Sequence, residues 1–209
     1  MPPARVQLAR YATNVEARAS WLAMFLHVRD DISSLNVERL LWKEVSGAMV
    51  EASPDAPDLW LAHYARLYLA AQAMTLRRLV RAKTGEASFC KLLEQVEHAA
   101  DLVAHSGMQE PVTEAKKARA LLNDLSRPVI DWATATIAHR NMDPPHSPTW
   151  TRLDEAIDGV SALYVEWTRF VTGMEHDLDV VLPPNWPVAF ARPLYRLTPE
   201  GWRRGAPAV

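Results

Sequence analysis

The chain has 209 residues, enough for one domain or one domain with a tail, and 49% of them are hydrophobic, an ordinary share for a chain that buries a core. Its formal charge of −2 excludes a polyelectrolyte-type nucleic-acid binder, so any contact with phosphates must come from a local basic patch. The single cysteine, Cys90, excludes an internal disulfide and fits a reducing compartment. No signal-like apolar core follows Met1, and no run of about 18 apolar residues could span a membrane, so a cytoplasmic location is expected.

In chain order, Thr13-x-x-Glu16 has the form of a capping box. Val15, Ala19, Leu22, Phe25 and Leu26 follow it at helical spacing. Ser33-Ser34 is expected to break this helix, and Asn36 to cap a second one carrying Val37, Leu41, Val45 and Ala48. Acids at Asp55–Asp58 then favour the positive end of a third helix, running to about Lys83. On it Leu61, Ala65, Tyr68, Leu69, Leu76 and Leu79 share one face, while His63, Arg66, Arg77 and Arg81 lie on the other. A shorter helix follows Thr84-Gly85, with Phe89, Leu92, Leu93, Val96, Ala100 and Val103 inward.

From Pro111, the positions Ala115, Ala118, Leu122, Leu125, Val129, Trp132, Thr136 and His139 keep a 3-4 spacing. Pro128 lies inside that run, removes one backbone hydrogen bond and predicts a bend. After Pro144-Pro145 comes the clearest periodicity of the chain, from Trp150 through Leu153, Ile157, Val160, Tyr164, Trp167, Val171, Met174 and Leu178 to Val181. This is a seam for packing along another helix. The tail has six prolines and two tryptophans and is expected to lie against the helices. The expected fold is all-α, an antiparallel bundle of four long helices plus shorter ones over 1–182, with a C-terminal extension over 183–209.

The residues with most chemical potential lie between the last two long helices, in Ile137-Ala138-His139-Arg140-Asn141-Met142-Asp143-Pro144-Pro145-His146. Metal-independent RNA cleavage needs a base for the 2′-hydroxyl proton and a cation for the phosphate. His titrates near neutral pH, and the planar fork of Arg matches phosphate oxygens. Arg140 and His146 supply these groups, with Asn141 placed to orient phosphate or imidazole. As ordinary structure, His139 is a core histidine on the 3-4 stripe and His146 a solvated loop residue.

Arg140-Asn141-Met142-Asp143-Pro144-Pro145-His146 resembles the signature of the HEPN superfamily, an Arg, usually a polar residue next, and four to six residues in all before a His, in helical domains that include many RNA-cutting toxins. Leu76-Arg77-Arg78-Leu79, Leu92-Leu93 and Ile137-Ala138-His139 before a long helix look like its abortive-infection branch, over roughly Val15 to Gly173. A second register takes His139 as the histidine and puts the arginine position on Ala133, leaving no cation. The resemblance implies action on RNA in phage defence or a toxin–antitoxin pair, a homodimer that pairs two copies of the motif, and an antitoxin or other defence protein as partner. On the second register the same fold serves as a non-catalytic module binding protein or RNA.

Three further clusters are weighed against ordinary roles. Arg77, Arg78, Arg81 and Lys83 could track an RNA backbone, but basic residues also suit a helix C-terminus. Glu94, Glu97, His98, Asp101 and His105 have metal-ligand spacing on one helix, yet that face is expected to meet water and no second helix completes it, so no metal is expected. Cys90 has no Cys-x-x-Cys partner and reads as a buried thiol. Without a Gly-rich phosphate loop, no nucleotide cofactor is expected either.

Overall fold

A computed structural model describes residues 4–52, 59–81, 87–98, 110–138, 146–172, 178, 195–198 and 201–204. The chain divides into two compact units, 1–178 and 179–209. The described elements of the first are all helices: α1 (Ala4–Ala52), α2 (Leu59–Val80), α3 (Phe89–His98), α4 (Pro111–Ala133) and α5 (Trp150–Thr172), with a π-helical segment, Thr134–Ala138, continuing α4. In the second unit, β1 (Tyr195–Thr198) pairs antiparallel with β2 (Gly201–Arg204). That hairpin was not expected from the sequence.

α1 corrects the expected break at Ser33-Ser34. It is one helix of 49 residues that runs through Ser33, Ser34 and Asn36. The reason lies in tertiary contacts. Trp21, Phe25, Val28, Ile32 and Leu35 form one buried stripe at 3-4 spacing across the serines. Asn36, expected as a cap, donates from Nδ2 to the Ile32 carbonyl at 2.9 Å and to Ser161 Oγ at 2.8 Å. A side chain that would compete with the helix is thus occupied within it. Packing of a long apolar face outweighs the weak propensity cost of two serines.

Contacts along α1 fix its direction against two neighbours. Asp31 meets Arg78, Glu38 meets Gln72 and Trp42 meets Tyr68, so α1 and α2 are antiparallel. Phe25 meets Tyr164, Asn36 meets Ser161 and Lys43 meets Asp154, so α1 and α5 are antiparallel too. α1 and α4 each pack against α2, α3 and α5.

α3 begins where Ser88 caps it: the Lys91 amide donates to Ser88 Oγ at 3.0 Å, the usual use of serine at this position. Phe89, Leu92, Leu93 and Val96 are buried as expected. On α4 the buried positions are Ala115, Ala118, Leu122, Ser126, Val129 and Ala133. Leu125 and Trp132, expected inward, are only half-buried. Leu125 instead spans the gap to α5, where a β-carbon on Gly159 would stand 2.6 Å from Leu125 Cδ1. Glycine therefore sets how closely α4 and α5 approach. On α5, Leu153, Ala156, Ile157, Val160, Leu163, Tyr164 and Trp167 are buried. The described part of α5 runs to Thr172, and Leu178 is non-helical while still packed on the core, while Met174 and Val181 lie outside the described residues.

Candidate functional site

The candidate turn is framed by two helix ends. On the α4 side, the Thr134 amide donates to the carbonyls of Asp131 and Ile130, and the chain then winds as a π-helix over Thr134–Ala138. A π-turn adds a residue per turn and shifts the register of the residues after it, and such segments are frequent at functional sites. The 3-4 spacing that assigned His139 to the packed stripe therefore does not carry through Thr134–Ala138. Within the segment Ala135 is buried, and Ile137 is half-buried against the core. Thr136 Oγ1 is buried without a hydrogen-bond partner among the described residues.

On the α5 side, His146 and Ser147 are exposed. Thr149 caps α5: its Oγ1 accepts from the Arg152 amide at 3.2 Å and its carbonyl accepts from the Leu153 amide at 3.0 Å. His146 is thus an exposed imidazole just ahead of a capped helix. His139, Arg140 and Asn141 lie outside the described residues. Ala133, where the second register puts the arginine, is fully buried in the core cluster. An arginine there would have to bring its charge into apolar packing.

Of the proposed RNA-tracking cluster, Arg78 is committed elsewhere. Its Nε donates to Asp31 Oδ2 at 2.8 Å and its Nη2 to Asp31 Oδ1, a two-point pair that ties α2 to α1. Arg77 and Arg81 are half-buried, and the Arg81 amide donates to the Arg77 carbonyl at 3.2 Å, extending the last turn of α2. Lys83 lies outside the described residues. The arginines that are described close the end of α2 rather than form an open basic track.

Glu97, expected to face water, is instead turned toward α4, where Arg119 Nη1 lies 3.2 Å from Glu97 Oε1. Glu94 bonds Lys91 at 2.7 Å, which lowers its pKa. Asp101 and His105 lie outside the described residues, and no group of three metal-type ligands occurs among the described ones. Cys90 is buried, and desolvation raises its thiol pKa, opposite to what a nucleophile requires. A cavity of about 390 Å³ opens between Val80 and α4. It is lined by Asp124 and Asp131 as well as Arg127, so a phosphate would meet two carboxylates there. Among the described residues, no helix is long and apolar enough to cross a membrane.

Periodicity alone did not single out an aromatic cluster at the start of α5. Trp42, Tyr68 and Trp150, from three helices, have ring centroids 5.2, 5.6 and 6.0 Å apart. Arg39, Lys43, Asp154 and Asp158 form ion pairs beside it, with Lys43 Nζ 3.3 Å from Asp154 Oδ2. Burial raises the Tyr68 pKa, and Asp154 and Glu38 raise it further against the opposing charge of Arg39. No family model, curated protein or solved structure matches the chain.

Proposed function

We propose that this chain is a HEPN-type helical protein, an antiparallel four-helix bundle that acts on RNA in the cytoplasm, in phage defence or a toxin–antitoxin pair. Its reaction is metal-independent cleavage at the turn between α4 and α5. The observation that supports this reading most directly is the exposed imidazole of His146, in the same connection as Arg140. A general base must be reachable by substrate, and an exposed imidazole, which can accept a proton at a ring nitrogen, is so placed. In this reading His146 takes the 2′-hydroxyl proton, the oxygen attacks the adjacent phosphorus, and Arg140 holds the charge that builds on the phosphoryl oxygens. Asn141 orients the phosphate. The P–O5′ bond breaks as the new bond forms, the leaving oxygen takes a proton from water, and the products are a cyclic phosphate end and a free 5′-hydroxyl. A homodimer brings two such turns together, and an antitoxin-like protein would hold the toxin silent.

A second reading, a non-catalytic module, is favoured by one observation: the buried Ala133 leaves the His139 register without a cation. Incubating total RNA with the protein in EDTA separates the two readings. The nuclease reading predicts cleavage that EDTA leaves unchanged and that Arg140→Lys reduces about 10²–10³-fold, because lysine keeps the charge but loses the fork. No cleavage in EDTA or in Mg²⁺ would leave the binding module as the better account.

A further inference from the structure

The Trp42–Tyr68–Trp150 cluster uses its rings unequally. Trp42 and Tyr68 are half-buried and stack with an interplanar angle of 11°. Trp150 lies against both, tilted 29° from Trp42 and 30° from Tyr68, yet remains 46% exposed. With all three centroids within 6.0 Å of each other, the rings fill the space between them. No cage remains for a cation. What remains is the outward side of one indole, held by two aromatic neighbours and by its place in the first turn of α5.

Such a ring loses little freedom when a flat ligand covers it, since its two torsions are already fixed by packing. The charges beside it are paired as Arg39 with Asp158, and Lys43 with Asp154, so they neither repel a nucleic-acid strand nor compete for the ring, whose own match is the uncharged face of a base. A neutral aromatic ligand fits. A second ring, Tyr64, lies one helical turn before Tyr68 and is 49% exposed. Four residues separate His146 from Trp150, which limits their Cα–Cα distance to about 14 Å even if the link is fully extended. A strand whose scissile phosphate is at His146 therefore has neighbouring bases within reach of Trp150.

We propose that Trp150, backed by Trp42 and Tyr68, is a stacking platform for an unpaired base of a single-stranded RNA whose phosphate is processed at the α4–α5 turn. The proposal rests on the RNA reading above and narrows it to single-stranded substrate. Base–aromatic stacking tolerates every base, so it sets position along the strand rather than sequence.

The test uses the full chain and a fluorescent 2′-O-methyl oligoribonucleotide, which lacks the attacking hydroxyl and is bound without being cut. Trp150→Ala should raise its Kd about 5–150-fold, the usual range for loss of one stacked base. Trp150→Phe should recover most of the affinity, and a duplex of the same sequence should bind Trp150→Ala and wild type alike. Melting curves confirm that both variants fold. Equal affinity of Trp150→Ala and wild type, with cleavage intact, would overturn the platform and leave the nuclease reading standing. Absence of any binding by wild type would remove both. If Trp150→Ala instead converts a dimer to a monomer in light scattering without changing Kd, the ring is a protein contact and the proposal is wrong.

Discussion

The two halves of the α1 contact surface solve different problems. From Trp21 to Leu35 the helix meets its neighbours through a stripe of apolar side chains: Trp21, Phe25, Val28, Ile32 and Leu35 are buried. Phe25 lies 4.7 Å from Tyr164 between ring centroids. The Tyr164 hydroxyl donates to the Phe25 carbonyl at 3.4 Å, and burial pushes its pKa up to about 12. From Asn36 to Lys43 polar contacts surround the single ring stack of Trp42. Arg39 bonds Asp158 and Asn36, Lys43 pairs with Asp154, and Glu38 accepts from Gln72 at 2.7 Å. Apolar burial is non-directional and scales with area, whereas half-exposed ion pairs contribute little but prefer one geometry. The first half therefore carries the stability, and the second selects which residues face each other near the aromatic cluster and the candidate turn.

This division predicts a graded set of effects. Phe25→Ala removes a fully packed ring and should cost about 3–5 kcal/mol, read as a large drop in the denaturation midpoint. Gly159→Ala comes next. It lies at the level of the polar half, where the new methyl would meet Leu125, so the gain of up to about 1 kcal/mol in helix propensity is outweighed by overpacking of about 1–3 kcal/mol. A stabilised Gly159→Ala would show that α4 and α5 can separate freely. Arg39→Ala should have the smallest effect, about 1 kcal/mol or less after screening, and should shrink in high salt, because its partners Asp154 and Asp158 are one-third and two-thirds exposed. An Arg39→Ala cost as large as that of Phe25→Ala would break the comparison.

Sequence reading recovered the helices whose apolar positions recur without competition. Pro111 marks the start of α4 and stands at its first turn in the structure, whereas the caps that start α3 and α5, Ser88 and Thr149, appear only in the structure. It failed where a local signal met a stronger tertiary one. Ser33-Ser34 reads as a break only if the buried stripe on both sides is treated as two faces rather than one. The π-segment at Thr134–Ala138 has no composition signal, and it severs the spacing that tied His139 to the core. The hairpin of the second unit has one signal, Pro199 followed by Gly201 between Leu197 and Trp202, the residues of a tight turn. Its strands of four residues are too short for alternation to register. At the candidate site, the exposure of His146 agrees with its loop reading. Arg78 shows why a basic run is a weak sign of nucleic acid: its partner, Asp31, is 47 residues away and invisible to any local pattern.

The central claim is that chemistry resides in the α4–α5 turn and uses His146. Cleavage of total RNA in EDTA by His146→Ala and His139→Ala, each paired with a melting curve, tests it most directly. The account predicts that His146→Ala melts like wild type and loses cleavage about as completely as Arg140→Lys. His139→Ala should keep most of its cleavage, because the proton transfer belongs to His146. A silent His146→Ala, beside a His139→Ala that is fully folded and inactive, would contradict the account and move the site to the other histidine.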